Sequence, residues 1–456
     1  MTSISSLGVG SGLDLTGLLD QLTTAENQKL TPITDQKTAN SAKLSAYGTL
    51  KSSLSSLQDA VSKLADQTTY QAMTSNLSGT GITSAVTSSA VPGSYQITVN
   101  SLAQANSWAT AGVASETTAL GTGDLTLTVG GKSTTVTIDS TNNTLDGIRD
   151  AINAQNTGLT ASIVNTGDAT NPYRLSLTSN TTGTASAIST SLANGTGTVA
   201  SLFATGAMTE TAQAKDASLT VNGIAITSQS NTVEGALQGV TLNLSLASVG
   251  QTQTLAVARD TDSMKKVITD FVNAYNSLES TTDTLTAYNA ADSTKSGKLL
   301  GDTTERTIEN RLTRALTTDV SGSTFQHLQD LGISLQSDGT LKIDDTKLDA
   351  AVNGDASTLS SFFVGSSGSG FAANMGSVLD NILGDDGSLT KATAGLQSAN
   401  DQLDKQYTAM QDSIDATISL YKTQFTQLDT LIAQLNSTST YLTQQFSALS
   451  SSSSNG

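Results

Sequence analysis

His327 is the only histidine in the chain, so any serine–histidine–aspartate relay would have to use it as its base. It sits in Phe325-Gln-His-Leu-Gln, and no Gly-x-Ser-x-Gly elbow occurs to present a serine nucleophile. The chain has no cysteine, which removes thiolate nucleophiles, disulfides and cysteine-ligated metal sites. Gly8-Val-Gly-Ser-Gly12 lacks the Gly-x-Gly-x-x-Gly spacing and follows no strand pattern. It reads as a flexible terminus rather than a phosphate cradle. Asp338-Gly-Thr-Leu-Lys-Ile-Asp-Asp345 lacks the alternating acids and closing glutamate of a calcium loop, so it reads as a hairpin turn. A carboxylate pair for sugar hydrolysis would come from distant positions, and nothing in the sequence selects one. Trp108, the lone tryptophan, offers little platform for carbohydrate. The chain is therefore read as a non-enzyme: no catalytic, cofactor-binding or metal-ligating residue is assigned, and no cofactor is expected.

Composition narrows the partners. Of 456 residues, 36% are hydrophobic, 4% aromatic and 13% charged, with a formal net charge of −17. That balance argues against nucleic acid and against adhesion to an anionic membrane. No apolar run approaches the ~18 residues of a membrane span, so no membrane insertion is expected. The opening MTSISSLGVGSGLD has neither a basic nor an apolar region of the secretory kind, so it is not a cleaved secretory signal, and a chain that leaves the cell does so without a cleaved signal peptide.

The elements that organise the chain lie at its two ends. Over 396–449, apolar residues recur in steps of four and three, a heptad-spaced helical stripe with no proline or glycine after Gly395 to interrupt it. Near the other end, Thr31-Pro32 marks a helix start, and Tyr47, Leu50, Leu54, Leu57, Val61 and Leu64 repeat the same step. These six are the predicted core of a helical bundle completed by helices at 263–288 and 390–425. Pairing of the two ends makes the middle an insertion between the legs of a helical stalk.

That middle changes period. Tyr95, Ile97 and Val99 alternate behind the turn Pro92-Gly93 and read as strand. Between 125 and 178 the pattern is strand, Gly130-Gly131 turn, strand, short helix at 144–153, then two strands. A shorter echo spans 217–246: strand, Asn222-Gly223 turn, strand, a helical turn at 233–237, strand. The Gly/Ser/Thr/Ala-rich stretch 183–211 reads as a loop or connector. Helical spacing returns at Met264, Ile268, Phe271, Tyr275 and Leu278, and Asp302 with Glu305 forms a candidate capping pair for the next helix. The fold class is α+β multidomain: terminal helices form a coiled-coil or bundle stalk, with two β-rich domains inserted.

Several stretches stand out together: Gly8-Val-Gly-Ser-Gly-Leu-Asp-Leu-Thr-Gly-Leu-Leu, Pro92-Gly-Ser-Tyr-Gln-Ile-Thr-Val-Asn-Ser-Leu-Ala-Gln-Ala105, and 230–244. Phe271-Val-Asn-Ala-Tyr-Asn-Ser-Leu278, Leu331-Gly-Ile followed by Asp338-Gly-Thr-Leu341, and Tyr441-Leu-Thr-Gln-Gln-Phe446 add to them. In these stretches the chain resembles one family, the bacterial flagellar filament cap proteins, also called hook-associated protein 2. The likeness is weakest over 107–211, where 145–179 is similar to inserts found in flagellins generally.

The resemblance implies a ring-like homo-oligomer at the distal filament tip, outside the cell. There it would promote folding and insertion of exported flagellin and prevent its loss. Implied partners are other copies of the chain, flagellin, the hook–filament junction proteins and a cytosolic flagellar export chaperone. The expected domains are 1–42 with 417–456 as terminal helical legs, flexible in the free subunit; 43–78 with 262–416 as the bundle; 79–106 with 212–261 as an inner head; and 107–211 as an outer head. Leu428, Leu431, Ile432, Leu435, Leu442 and Phe446 are the expected partner-binding and assembly face, because no central domain offers them a partner. The competing class is a surface adhesin or glycan-binding module using the β domains.

Overall fold

The structure, a computed structural model, describes residues 7–453. The flexible terminus and the far end of the C-terminal leg expected from sequence fall partly on 1–6 and 454–456, outside the described residues. The chain divides into two compact units, Met1–Gln67 with Met264–Gly456, and Thr68–Ser263.

The first unit is helical. Its principal helices are α1 (Leu15–Asn27), α2 (Thr31–Leu64), α3 (Thr261–Thr286), α4 (Thr303–Leu316), α5 (Phe371–Leu383) and α6 (Ser388–Ser453). Local chemistry sets where several begin. Asp14 accepts from the Gly17 amide at the start of α1, proline opens α2, and Asp302 accepts from the Thr304 and Glu305 amides at the start of α4. Tyr47, Leu50, Leu54, Leu57, Val61 and Leu64 are all buried along one stripe of α2, which packs against α5 and α6. Burying each such side chain contributes roughly 1.5–3 kcal/mol relative to exposure. Phe271, Phe362, Phe363 and Phe371 complete this core, with Phe271 edge-on to Phe371 at 5.6 Å between centroids and Phe362 stacked on Phe371 at 5.7 Å.

Asp338-Gly339 closes a hairpin between Ile333–Leu335 and Leu341–Ile343. Asp338 accepts from the amide and hydroxyl of Thr340, and Gly339 is at φ 84°. The positive φ is what calls for glycine there; a Cβ would also meet the Glu279 carboxylate at 2.5 Å and push that side chain aside. At 66 residues, α6 runs about 100 Å.

The second unit holds two antiparallel β modules with separate cores. One has a five-stranded sheet in the order Met73–Leu77, Thr252–Arg259, Gly93–Ser101, Ala217–Val221, Ile224–Ser228, and a three-stranded sheet of Thr232–Leu237, Val240–Leu244 and Ile82–Val86. Ile97, Val99, Leu219 and Leu255 are fully buried in its core. Asn222 and Gly223 both take positive φ, 49° and 81°, as a two-residue hairpin turn demands. The other module pairs a four-stranded sheet (Thr209–Ala212, Ala105–Ala109, Tyr173–Thr182, Leu159–Asn165) with a three-stranded one (Lys132–Ile138, Gly123–Val129, Ile188–Ala193). The helix Leu145–Ala154 buries Leu145, Ile148 and Ile152 in that core.

Two sequence expectations are corrected here. Residues 233–237 are strand, not a helical turn: Val233 pairs with Leu242 and Leu237 with Val240. A bulge containing Gly235 at φ 73° separates them, and it places the apolar pair four residues apart, which imitates helical spacing. Residues 183–211 are not a connector. They form the strand Ile188–Ala193 and the helix Gly197–Leu202, and bury Ile188, Val199, Leu202, Phe203 and Met208. Abundant small polar residues hid these five core positions, which share no single periodicity because they come from different elements.

Candidate functional site

The surface that most departs from ordinary burial is on the second half of α6. Leu431, Leu435 and Phe446 are 53%, 59% and 69% exposed. Leu428 and Leu442 are exposed as well, and Ile432 is half-buried. All six residues expected to form the partner face thus share one helix. Tyr441 and Leu449 extend the apolar stripe. Upstream the same helix is anchored differently: Leu403 and Ile414 are buried. A run of large apolar side chains left in water over several helical turns is the signature of a contact surface rather than of a core.

The N-terminal glycine segment meets this helix. The Ser11 amide donates to Asp429 Oδ1 at 2.7 Å and the Gly10 amide to Oδ2 at 3.4 Å. The Ser11 hydroxyl first, then these backbone amides, hold the Asp429 carboxyl below its ordinary value. Gly10 lies so near that a Cβ would reach Ala433 Cβ at 3.0 Å. Just beyond, α1 lies along α6 and buries Leu15 and Leu19. The Gly8–Gly12 run, read from sequence as a flexible terminus, is a turn closed by the Gly12 amide on the Gly8 carbonyl.

The chemistry expected from sequence at other positions resolves into structural roles. His327 lies before the short helix Leu328–Leu331 and is half-exposed, with Nδ1 3.3 Å from Asp319. Asp330 accepts from the amides of Gln326 and His327, which hold its carboxyl below the usual range. Trp108 donates from Nε1 to Asn106 at 2.8 Å. Among the described residues no group of three or more His, Cys, Asp or Glu is arranged to hold a metal ion.

Two polar clusters went unseen in the sequence. Asp302 does more than cap α4: its carboxylate accepts from the Tyr47 hydroxyl at 2.9 Å and pairs with Lys43, joining α2 to α4. Burial raises the Asp302 pKa, but Lys43 and the cap amides outweigh it and leave the carboxyl below its ordinary value. Glu305, the expected capping partner, is instead buried beside Tyr275, Glu279 and Glu309. Burial, reinforced by Glu309 and Asp302, pushes the Glu305 carboxyl up to about 7. Glu279 is also pushed up to about 7, by burial and then by Glu309. Burial and Glu279 likewise raise the Tyr275 hydroxyl. Only a fold that brings α3 against α4 makes these groups neighbours.

In the second unit, Asn106 is 1% exposed and uses its whole amide. Oδ1 accepts from Trp108 Nε1 and the Ile188 amide, and Nδ2 donates to Glu210 and to the Ala212 carbonyl. A separate polar clasp joins the two β modules: Asp216 accepts from the amide and hydroxyl of Thr184 and from Gln229 Nε2.

A helical unit with an uncovered apolar stripe, carried in one chain with β modules, matches family models along most of its length. "Flagellar hook-associated protein 2 N-terminus" covers residues 11–106, "Flagellar hook-associated protein 2 C-terminus" covers 214–437, and "Flagellin hook IN motif" covers 124–181. The class is a structural protein of the bacterial flagellum. The flagellar hook-associated protein 2 of Escherichia coli (strain K12) is 43% identical, over 98% of this chain and 98% of that one. The protein of that description from Salmonella typhimurium is 38% identical, over 99% and 100%. The solved D1-D2-D3 domains of the flagellar cap protein from Escherichia coli superpose with a TM-score of 0.64 at 38% identity, covering 77% of this chain and 99% of that one. This chain belongs to the flagellar hook-associated protein 2 family, the flagellar cap proteins.

Proposed function

We propose that the chain works as a ring-like homo-oligomer at the distal end of the flagellar filament, where it promotes folding and insertion of arriving flagellin and prevents its loss. The observation that carries this reading is the exposed stripe of Leu428, Leu431, Leu435, Leu442 and Phe446 on α6. Long apolar helical faces of this kind are covered by other helices or grooves, and a cap must touch its own copies, the junction proteins and flagellin. The same face serves a cytosolic export chaperone before assembly, because the two encounters are separated in time and place.

Replacing Leu431 and Leu435 together by Asp tests this. Charges in a seam that must exclude water cost several kcal/mol of association. Cells carrying only that variant should build hooks, shed flagellin into the medium and swim poorly. Filaments of normal length on those cells would overturn the assignment.

A further inference from the structure

Three of the chain's six arginines lie within nine residues of one helix. Arg149, Arg174 and Arg259 are scattered, whereas Arg306, Arg311 and Arg314 all belong to α4. Arg311 and Arg314 are exposed, and neither forms an ion pair among the described residues. They line an open groove of about 610 Å³ between α4 and α5, with Ala315 and Val378 as apolar surface and Asn374 and Asn381 as polar walls. In a chain of net charge −17, an uncommitted pair of guanidiniums beside apolar surface is a local inversion of the prevailing field.

We propose that this groove docks the C-terminal helix of a second copy of the chain, with Arg311 and Arg314 receiving that copy's Asp412 and Asp415. The proposal rests on the homo-oligomer proposed above and adds the face that makes it. Asp412 and Asp415 are exposed on α6 and three residues apart, the same spacing as the two arginines. Ile414 between them is buried, so the carboxylates occupy the outward part of the helix. Among the described residues neither has a cationic partner, Asp415 accepting only from Gln411 Nε2 at 3.0 Å, whereas Asp404 is taken by Lys37 and Asp429 by the N-terminal loop. Each chain therefore carries, among its described residues, a basic pair and an acidic pair that form no ion pair of their own. Copies of an acidic chain repel one another in most orientations, and this pairing selects the one register in which approach is attractive. A donor face and a different acceptor face on each copy make a heterologous contact, the kind that closes into a ring.

The test is the mass of the full chain by sedimentation, with circular dichroism to establish that each variant is folded. R311E/R314E should weaken self-association about tenfold or more, and R311Q/R314Q should weaken it less. D412R/D415R should weaken it similarly, and an equimolar mixture of R311E/R314E with D412R/D415R should recover part of it. A wild-type chain that is monomeric at every concentration would overturn the homo-oligomer and this contact together. An oligomer unchanged in R311E/R314E would overturn only the groove. Weakening by R311E/R314E without recovery in the mixture would mean a different acidic segment occupies the groove. Unchanged self-association with lost binding of purified flagellin would reassign the groove to flagellin. Either result would overturn the α6 occupant.

Discussion

Replacing Glu305 by Gln should stabilise the protein in a way that depends on pH. The side chain is 6% exposed and packs beside Glu279 and Glu309. Its carboxyl rises from an ordinary 4.5 to about 7, first through burial and then through its acidic neighbours. A carboxyl with a raised pKa holds its proton more tightly in the folded state. Its favourable contribution is complete below about pH 4.5 and is lost as pH climbs through 7. The full rise corresponds to about 3 kcal/mol. Because Glu279 is raised by shared neighbours, removing one charge also relieves the other, and the two effects are not additive. Glutamine keeps the shape and never ionises, so the gain should be about 1–3 kcal/mol at pH 8 and close to nothing at pH 4.5. Urea unfolding of the full chain, followed by helical circular dichroism at both pH values, measures the difference. An equal effect of Glu305→Gln at the two pH values would refute the claim that a buried carboxylate opposes folding at neutral pH.

Two further predictions concern the cores. Leu57 has no exposed surface, so Leu57→Asp should cost several kcal/mol and lower the helical melting transition sharply, as scanning calorimetry would show; an unchanged transition would sink the bundle core. Asn106→Ala would strand four hydrogen-bonding groups and should cost about 2–4 kcal/mol in its β module alone. Trp108, the chain's single tryptophan, reports on that module, so its fluorescence transition should fall while the helical one stays in place.

Periodicity made much of this protein legible in one dimension. The steps between Tyr47 and Leu64 define a buried helical stripe whatever packs on it, because 3.6 residues per turn fixes which side chains share a face. Asn222-Gly223 and Asp338-Gly339 mark hairpins for an equally local reason: few residues tolerate positive φ. The apolar face of α6 was also visible, since its helical spacing runs over 396–449 and no central domain offers its second half a partner.

Other features depended on which elements meet. Glu305 reads as half of a capping pair until α3 brings Glu279 beside it, and nothing in the spacing of residues 279, 305 and 309 foretells that approach. Gly235 disguises a bulged strand as a helical turn, and 183–211 contributes its core residues from a strand, a helix and a loop with no common period. Arg311 and Arg314 are an ordinary charged face in sequence and become the wall of a groove only when α5 lies alongside. Local rules act through the backbone of a few consecutive residues, whereas charge, burial and grooves arise between segments far apart in the chain. For that reason the sequence by itself determined the helices, most of the strands and the exposed stripe, and the tertiary structure alone decided the acidic cluster, the Asn106 and Asp302 networks and the basic groove.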